Sequence, residues 1–218
     1  MLWNLGLDLA LGAILVATWY WGCLRMNRRR STRILYWIDQ ALAGSGRISG
    51  IEWLSASRFL VRLRLQDSCF RCPAVIVRLA PRELPFHWLM NRIRKTEDTA
   101  TFEANLPLAP TFNMDVHTQH WRTGAKAGKT PRSGRWTTET IGPFVITNRR
   151  DWQRDVVCAM DTMTQSRGYQ FVNVSFRKTS PHFSATLPLE VLRQRVDAQP
   201  PIFDVLKELA TGSSSARF

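Results

Sequence analysis

Residues 5–24 read LGLDLALGAILVATWYWGCL, and residues 25–33, which follow, read RMNRRRSTR. The first run carries one charge, Asp8, with Thr18 as its main other polar side chain. At about 1.5 Å per residue a helix over this stretch is about 30 Å long, the thickness of a bilayer's hydrocarbon core. Trp3 stands at one end and Trp19, Tyr20 and Trp21 near the other, the levels at which amphipathic rings settle. Asp8 lies about one turn inside the first boundary, where it can reach the headgroups. A carboxylate at the bilayer centre would cost about 2.5–3.5 kcal/mol, and the cost falls steeply near an interface. The reading is a transmembrane helix over residues 5–24 behind a short external N-terminus of residues 1–4.

Charge order decides among the alternatives. A cleaved signal peptide has its basic residues first and small residues at its cleavage site. Here every one of the 30 Lys and Arg residues lies at or beyond Arg25. The Gly22-Cys23 pair resembles a lipoprotein ending, yet bulky Tyr20 and Trp21 precede it. A core helix of a soluble protein would show a polar face. An uncleaved anchor fits best. Arg25, Arg28, Arg29, Arg30 and Arg33 flank one end and no cation flanks the other. Cytoplasmic flanks carry that excess, and anionic leaflet lipids attract each basic residue by about 1 kcal/mol. The expected topology is a single-pass protein of the inner or plasma membrane, N-terminus outside and everything after Arg25 cytoplasmic. Gly6, Ala10, Ala13 and Ala17 recur at helical spacing, a small-residue stripe that permits a homodimer contact between anchors.

Residues 25–46 form a basic juxtamembrane segment that ends in a short amphipathic helix, Ile34 to Leu42, with Ile34, Ile38 and Leu42 on one face. That helix either lies on the bilayer or packs on the following domain. Gly44-Ser45-Gly46 stops it.

Residues 47–210 read as one cytoplasmic α+β domain, a mostly antiparallel sheet covered by helices. Arg58 to Leu65 alternates Phe59, Val61, Leu63 and Leu65 against Arg58, Arg62 and Arg64, the period of a half-buried strand. Strands are also expected over 48–53, 74–79, 144–147, 169–176 and 182–187, with extended segments between 99 and 121 interrupted by Pro107 and Pro110. Helices are expected within 81–94, with Trp88, Leu89 and Ile93 inward, and over 151–166, 189–196 and 202–209. The Ser-rich residues 211–218 are expected to be disordered. No internal repeat is visible.

The whole chain has 218 residues, 44% of them hydrophobic and 22% charged, with a formal net charge of +13. This excludes an acidic disordered chain, a collagen-like repeat and a polytopic membrane protein. The 4 cysteines are too scattered for a disulfide framework.

Few residues suggest chemistry. Gly124 to Thr130 resembles a phosphate loop, but it has three residues between its glycines where four are needed, and Pro131 stands where a helix must begin. The same region supplies Arg122, Lys126, Lys129, Arg132 and Arg135 without an acid, a basic loop able to touch anionic headgroups or to stay solvated. Cys69 and Cys72 form a CxxC, and His117 and His120 an HxxH. Together they are a candidate zinc site, lacking the glycine-bearing knuckle that usually accompanies one. No GxSxG, HExxH or GxGxxG is present. The 9 tryptophans and the arginine excess invite a nucleic-acid reading, which the scatter of arginines over the domain weakens.

The expectation is therefore a non-catalytic interaction, scaffold or sensing module at the inner leaflet. Its partners would be the bilayer, anionic lipid headgroups and another membrane or cytoplasmic protein, with no cofactor. A zinc-dependent module or enzyme, and a nucleic-acid-binding domain, are the alternatives.

Overall fold

An uninterrupted helix, α1, runs from Leu2 to Ala41 in a computed structural model that describes residues 2–66, 69–80, 88–90, 93, 97–110, 113–118, 136–141, 144–149, 171–189 and 202–215. No proline interrupts residues 2–41, and extending an existing helix is far easier than starting a new one. The expected short helix over 34–42 is accordingly the far end of α1, not a separate element. α1 ends where the Ser45 and Gly46 amides both donate to the Leu42 carbonyl, at 2.8 and 3.0 Å. Gly44 there adopts φ +88°, the left-handed conformation that glycine allows at a helix end. Gly46 is needed for a different reason: a Cβ there would fall 2.5 Å from the Arg64 carbonyl oxygen.

The strands are β1 (Gly46–Ser55), β2 (Arg58–Leu65), β3 (Arg71–Arg78), β4 (Thr99–Asn105), β5 (Met114–Thr118), β6 (Trp136–Ile141), β7 (Phe144–Arg149), β8 (Asn173–Phe176) and β9 (Phe183–Pro188). They form one sheet in the order β1-β2-β3-β4-β9-β8-β5-β7-β6. Every neighbouring pair is antiparallel. The α+β class expected from sequence holds. β2 occupies the span its alternation predicts. β6 was not predicted: Trp136-Thr-Thr-Glu-Thr-Ile141 has β-branched residues but no apolar alternation, as suits the outermost strand of a sheet.

One face of the sheet builds the core. Phe59, Val61 and Leu63 of β2, Val75 and Val77 of β3, Phe102 of β4, Met114 and Val116 of β5, Val174 and Phe176 of β8, and Phe183 and Ala185 of β9 belong to a single buried cluster. Two helices cover it. α1 contributes Ile38 and Leu42, and α2 (Ile202–Ser215) contributes Ile202, Phe203, Val205, Leu206 and Leu209. Phe102 is the hub, with its ring centroid 5.1 Å from Phe70 and 6.1 Å from both Phe183 and Phe203.

Two expectations need correction. α2 continues through Ser215 rather than yielding to a disordered tail at 211. The Thr211 hydroxyl supports the last turns by donating to the Lys207 carbonyl at 2.9 Å. Trp88–Met90 and Ile93 are helical as predicted, but Leu89 and Ile93 face outward, 49% and 69% exposed. The helices expected over 151–166 and from 190 to 196 lie outside the described residues.

Candidate functional site

The junction between α1 and the sheet is the most specifically built region. Among the described residues one helix, over Gly6–Ala41, is long and apolar enough to cross a membrane. Its two halves differ in surroundings. From Gly6 to Thr18 every side is exposed, with Leu9 and Leu15 both at 68%. From Trp19 onward a seam at helical spacing is covered: Cys23, Asn27, Ser31, Ile38 and Leu42 are all buried. Residues four apart lie one above the other on a helix, so these positions form one docking row. Trp19 opens it with an edge-to-face contact to Trp88, centroids 5.8 Å apart.

Polar groups fix the register of that row. Asn27 Nδ2 donates to the Ala56 carbonyl, in the β1–β2 turn, at 3.3 Å. Within α1 the buried Ser31 hydroxyl is satisfied by the Asn27 carbonyl at 2.8 Å, so it can sit in the row without a partner on the sheet. Arg30 Nη1 reaches Asp98 Oδ2 at 3.1 Å, and Asp98 Oδ1 accepts from the Ala80 amide at 2.7 Å. The Asp98 carbonyl in turn accepts from the Leu189 amide at 2.8 Å. One acid thus ties α1 to the end of β3, the start of β4 and the end of β9.

The five predicted lipid-facing arginines therefore divide. Arg25, Arg28, Arg29 and Arg33 are exposed, and the Arg25 guanidinium lies 5.6 Å from the Trp21 ring centroid, a cation–π contact at the end of the apolar run. Arg30 is turned inward onto Asp98. Sequence reasoning missed Asp98 because an acid before a strand is unremarkable until the chain brings Arg30 beside it. Gly6, Ala10, Ala13 and Ala17 all lie in the exposed part of α1. Of the predicted basic loop, Arg122, Lys126, Lys129, Arg132 and Arg135 lie outside the described residues, as does His120.

Cys69 and Cys72 flank the entry to β3. Cys69 packs against the core and Cys72 is exposed. Cys72 has φ 50° and sits, with Pro73, in a bulge between Arg71 and Ala74, where a proline lacking its N–H is tolerated. His117 is in β5, four places from β3 in the sheet, which at about 4.8 Å per strand is about 19 Å. The sheet does not bring the cysteines and His117 together. Among the described residues no group of three His, Cys, Asp or Glu side chains is placed to hold a metal. His182 Nδ1 lies 3.3 Å from both the amide and the carbonyl of Leu106, a structural role. Beside His117, Asp115 has its carboxyl raised above the usual range by burial, which outweighs the attraction of Arg177 and His117.

A shallow cavity of about 130 Å3 opens between Ser45, Gln66, Phe70 and Lys207, smaller than the several hundred Å3 usual for a small-molecule site. No protein-family model matches the chain, and no curated protein matches it.

Proposed function

We propose that this chain is a single-pass membrane protein, amino terminus outside, whose basic cytoplasmic α+β domain is a non-catalytic interaction module held at the inner leaflet. The observation that carries the reading is the docked seam of α1. The apolar helix does not end in a flexible linker; it continues without a break into a row of buried residues, Cys23 to Leu42, clasped to the sheet through Asn27–Ala56 and Arg30–Asp98. Such a junction gives the domain a defined pose relative to the bilayer, which a tethered enzyme does not require and a recognition surface uses. The four outward arginines beside Leu24 supply the electrostatic contact with anionic headgroups and the orientation.

The outward Leu89 and Ile93 support the same pose. Trp88 touches Trp19, five residues inside the Leu24 boundary, so its helical segment sits at the depth of the interface, where apolar side chains meet lipid rather than water.

The test is a pair of fusions after Phe218, to green fluorescent protein and to alkaline phosphatase, with alkaline carbonate extraction of the membranes. Fluorescence without phosphatase activity, in a carbonate-resistant pellet, is expected. Phosphatase activity, or extraction into the supernatant, overturns the reading.

A further inference from the structure

The arginines that look scattered in the sequence are gathered by the sheet. Directly opposed residues of an antiparallel pair project to the same face. Arg47 opposes Arg64, and Arg58 opposes Arg78. Arg62 shares that face by the two-residue period of β2, and Arg71 opposes Asn105 on the polar side of β4. Six arginines thus occupy the face of β1–β3 turned away from α1 and the core. Glu52 accounts for one of them, 2.9 Å from Arg62, and Glu103 is a second acid on the face. Among the described residues the other five arginines have no carboxylate within ion-pair distance, and Arg58 Nε is shielded from solvent without a hydrogen-bond partner.

Like charges directly opposite each other destabilise a sheet. Two such pairs on adjacent strands, with arginine where glutamine or threonine would serve the fold, call for a partner that supplies the missing negative charge. We propose that this arginine face docks a carboxylate-rich segment of another protein. The claim rests on the reading of the domain as an interaction module and names its partner's chemistry.

Position and shape select this partner. The β1–β2 turn touches Asn27, near the membrane boundary, while Gly46 meets Leu42 at the far end of α1. Fifteen helical residues separate those contacts, about 22 Å, so Arg47 and Arg64 stand well beyond the screening length of about 8 Å from the leaflet. Headgroups cannot serve the whole face. Its uncharged members on β2 and β3 are Leu60, Ala74 and Ile76, with no ring on which a base could stack. Extended acidic side chains need only guanidinium groups spaced along and across strands, which form bidentate pairs with carboxylates.

The experiment uses the full chain in nanodiscs of zwitterionic phosphatidylcholine and a short fluorescein-labelled poly-L-glutamate, read by anisotropy. Arg47→Gln/Arg64→Gln/Arg78→Gln is compared with Arg28→Gln/Arg29→Gln/Arg33→Gln, which removes the same charge from exposed positions on α1. The face variant is expected to weaken binding by about tenfold or more, and the α1 variant by less than about twofold. Relief of the opposed charges leaves the melting temperature of the face variant unchanged or raised. A melting temperature lowered by the face substitutions assigns these arginines to the fold and overturns the proposal. Equal weakening by both variants also overturns it, as general charge attraction. Tighter, face-dependent binding of an oligothymidylate of equal charge replaces it with a nucleic-acid surface. Incorporation into nanodiscs is scored separately, and the titration runs equally on detergent-held chain, so failure of the anchor and failure of the face are told apart.

Discussion

Arg30 and Asp98, 68 residues apart in the chain, are joined at 3.1 Å with side chains only 32% and 19% exposed. An ion pair so placed differs from the surface kind. The carboxylate also holds the Ala80 amide at 2.7 Å, so it is committed to the fold by bonds of different origin. One comes from the long helix α1, the other from the sheet.

Removing the carboxylate is expected to cost more than removing the guanidinium. Asp98→Ala leaves both Arg30 and the Ala80 amide without this acceptor, a loss of about 1–3 kcal/mol. Arg30→Ala leaves the Ala80 bond intact and should cost less, about 0.5–1.5 kcal/mol. Thermal unfolding of the full chain in detergent reads both. Equal losses would show that the Ala80 bond contributes nothing.

Ile38 and Leu42 are each 1% exposed, whereas Tyr36, on the same helix, is 66% exposed. Ile38→Ala opens a cavity between α1 and the sheet and should destabilise by about 2–5 kcal/mol. Tyr36→Ala loses only an exposed hydrogen bond with Gln40 and should stay within about 0.5 kcal/mol. Matching melting temperatures for the two variants would mean that α1 is not docked through this row.

What the sequence revealed depended on how local the cause was. β2 was legible because its alternation of Phe59, Val61 and Leu63 against arginines is complete within eight residues. The apolar run of α1 was legible for the same reason. β6 was not, because an outermost strand of threonines shows no two-sided contrast. The inward turn of Arg30 could not be read, since its cause lies at Asp98. Leu89 and Ile93 misled because helical periodicity shows which residues share a face and says nothing of whether the rest of the protein covers it. The arginine face was missed entirely: Arg47, Arg64 and Arg78 become neighbours only through strand register.

Asp115 offers a pH test. Burial raises its carboxyl above 3.8 in the fold, against the lowering effects of Arg177 and His117. The folded state therefore holds the proton more tightly than the unfolded chain. The resulting stabilisation is complete in acid below the unfolded value and is lost as pH rises through the folded one. At neutral pH the ionised carboxylate is a small liability, since the Asp115 side chain as a whole is still 44% exposed. Its Oδ1 is shielded without a hydrogen bond, and Arg177, at 3.8 Å, is 56% exposed, so its screened attraction is weak. Asp115→Asn should raise the melting temperature at pH 7, with the gain vanishing as the pH approaches 4. A lower melting temperature at pH 7 would show that the Arg177 attraction dominates.

The thiols should behave as separate groups. Cys72 is exposed and Cys23 buried, so maleimide should label Cys72 before Cys23 in the detergent-held chain, as accessibility governs reaction among otherwise similar thiols. With Cys72 and His117 four strands apart, zinc in the purified chain should be substoichiometric and unchanged by Cys69→Ser or His117→Ala. One zinc per chain, lost in both variants, would require the segments to meet and would overturn this placement.

The exposed arginines of α1 allow the proposed orientation to be tested apart from stability. Arg25, Arg28, Arg29 and Arg33 are exposed. At about 1 kcal/mol per basic residue near an anionic leaflet, the four together bias the topology by about 4 kcal/mol. Arg30 is committed to Asp98 and adds its charge to the flank chiefly through the fold. Replacing the four by glutamine should raise the fraction of chains with the C-terminus outside, scored by phosphatase activity of the Phe218 fusion, while the correctly inserted chains keep their melting temperature. Arg30→Gln should do the reverse, lowering the melting temperature and leaving the topology unchanged. If Arg30→Gln inverted the topology as readily as substitutions at Arg28 or Arg29, the guanidinium would be facing lipid during insertion, and its pairing with Asp98 would be a later consequence of folding. If the four glutamines left the topology intact, the docked seam itself, by retaining the domain on one side, would be setting the orientation, and the positive flank would be secondary.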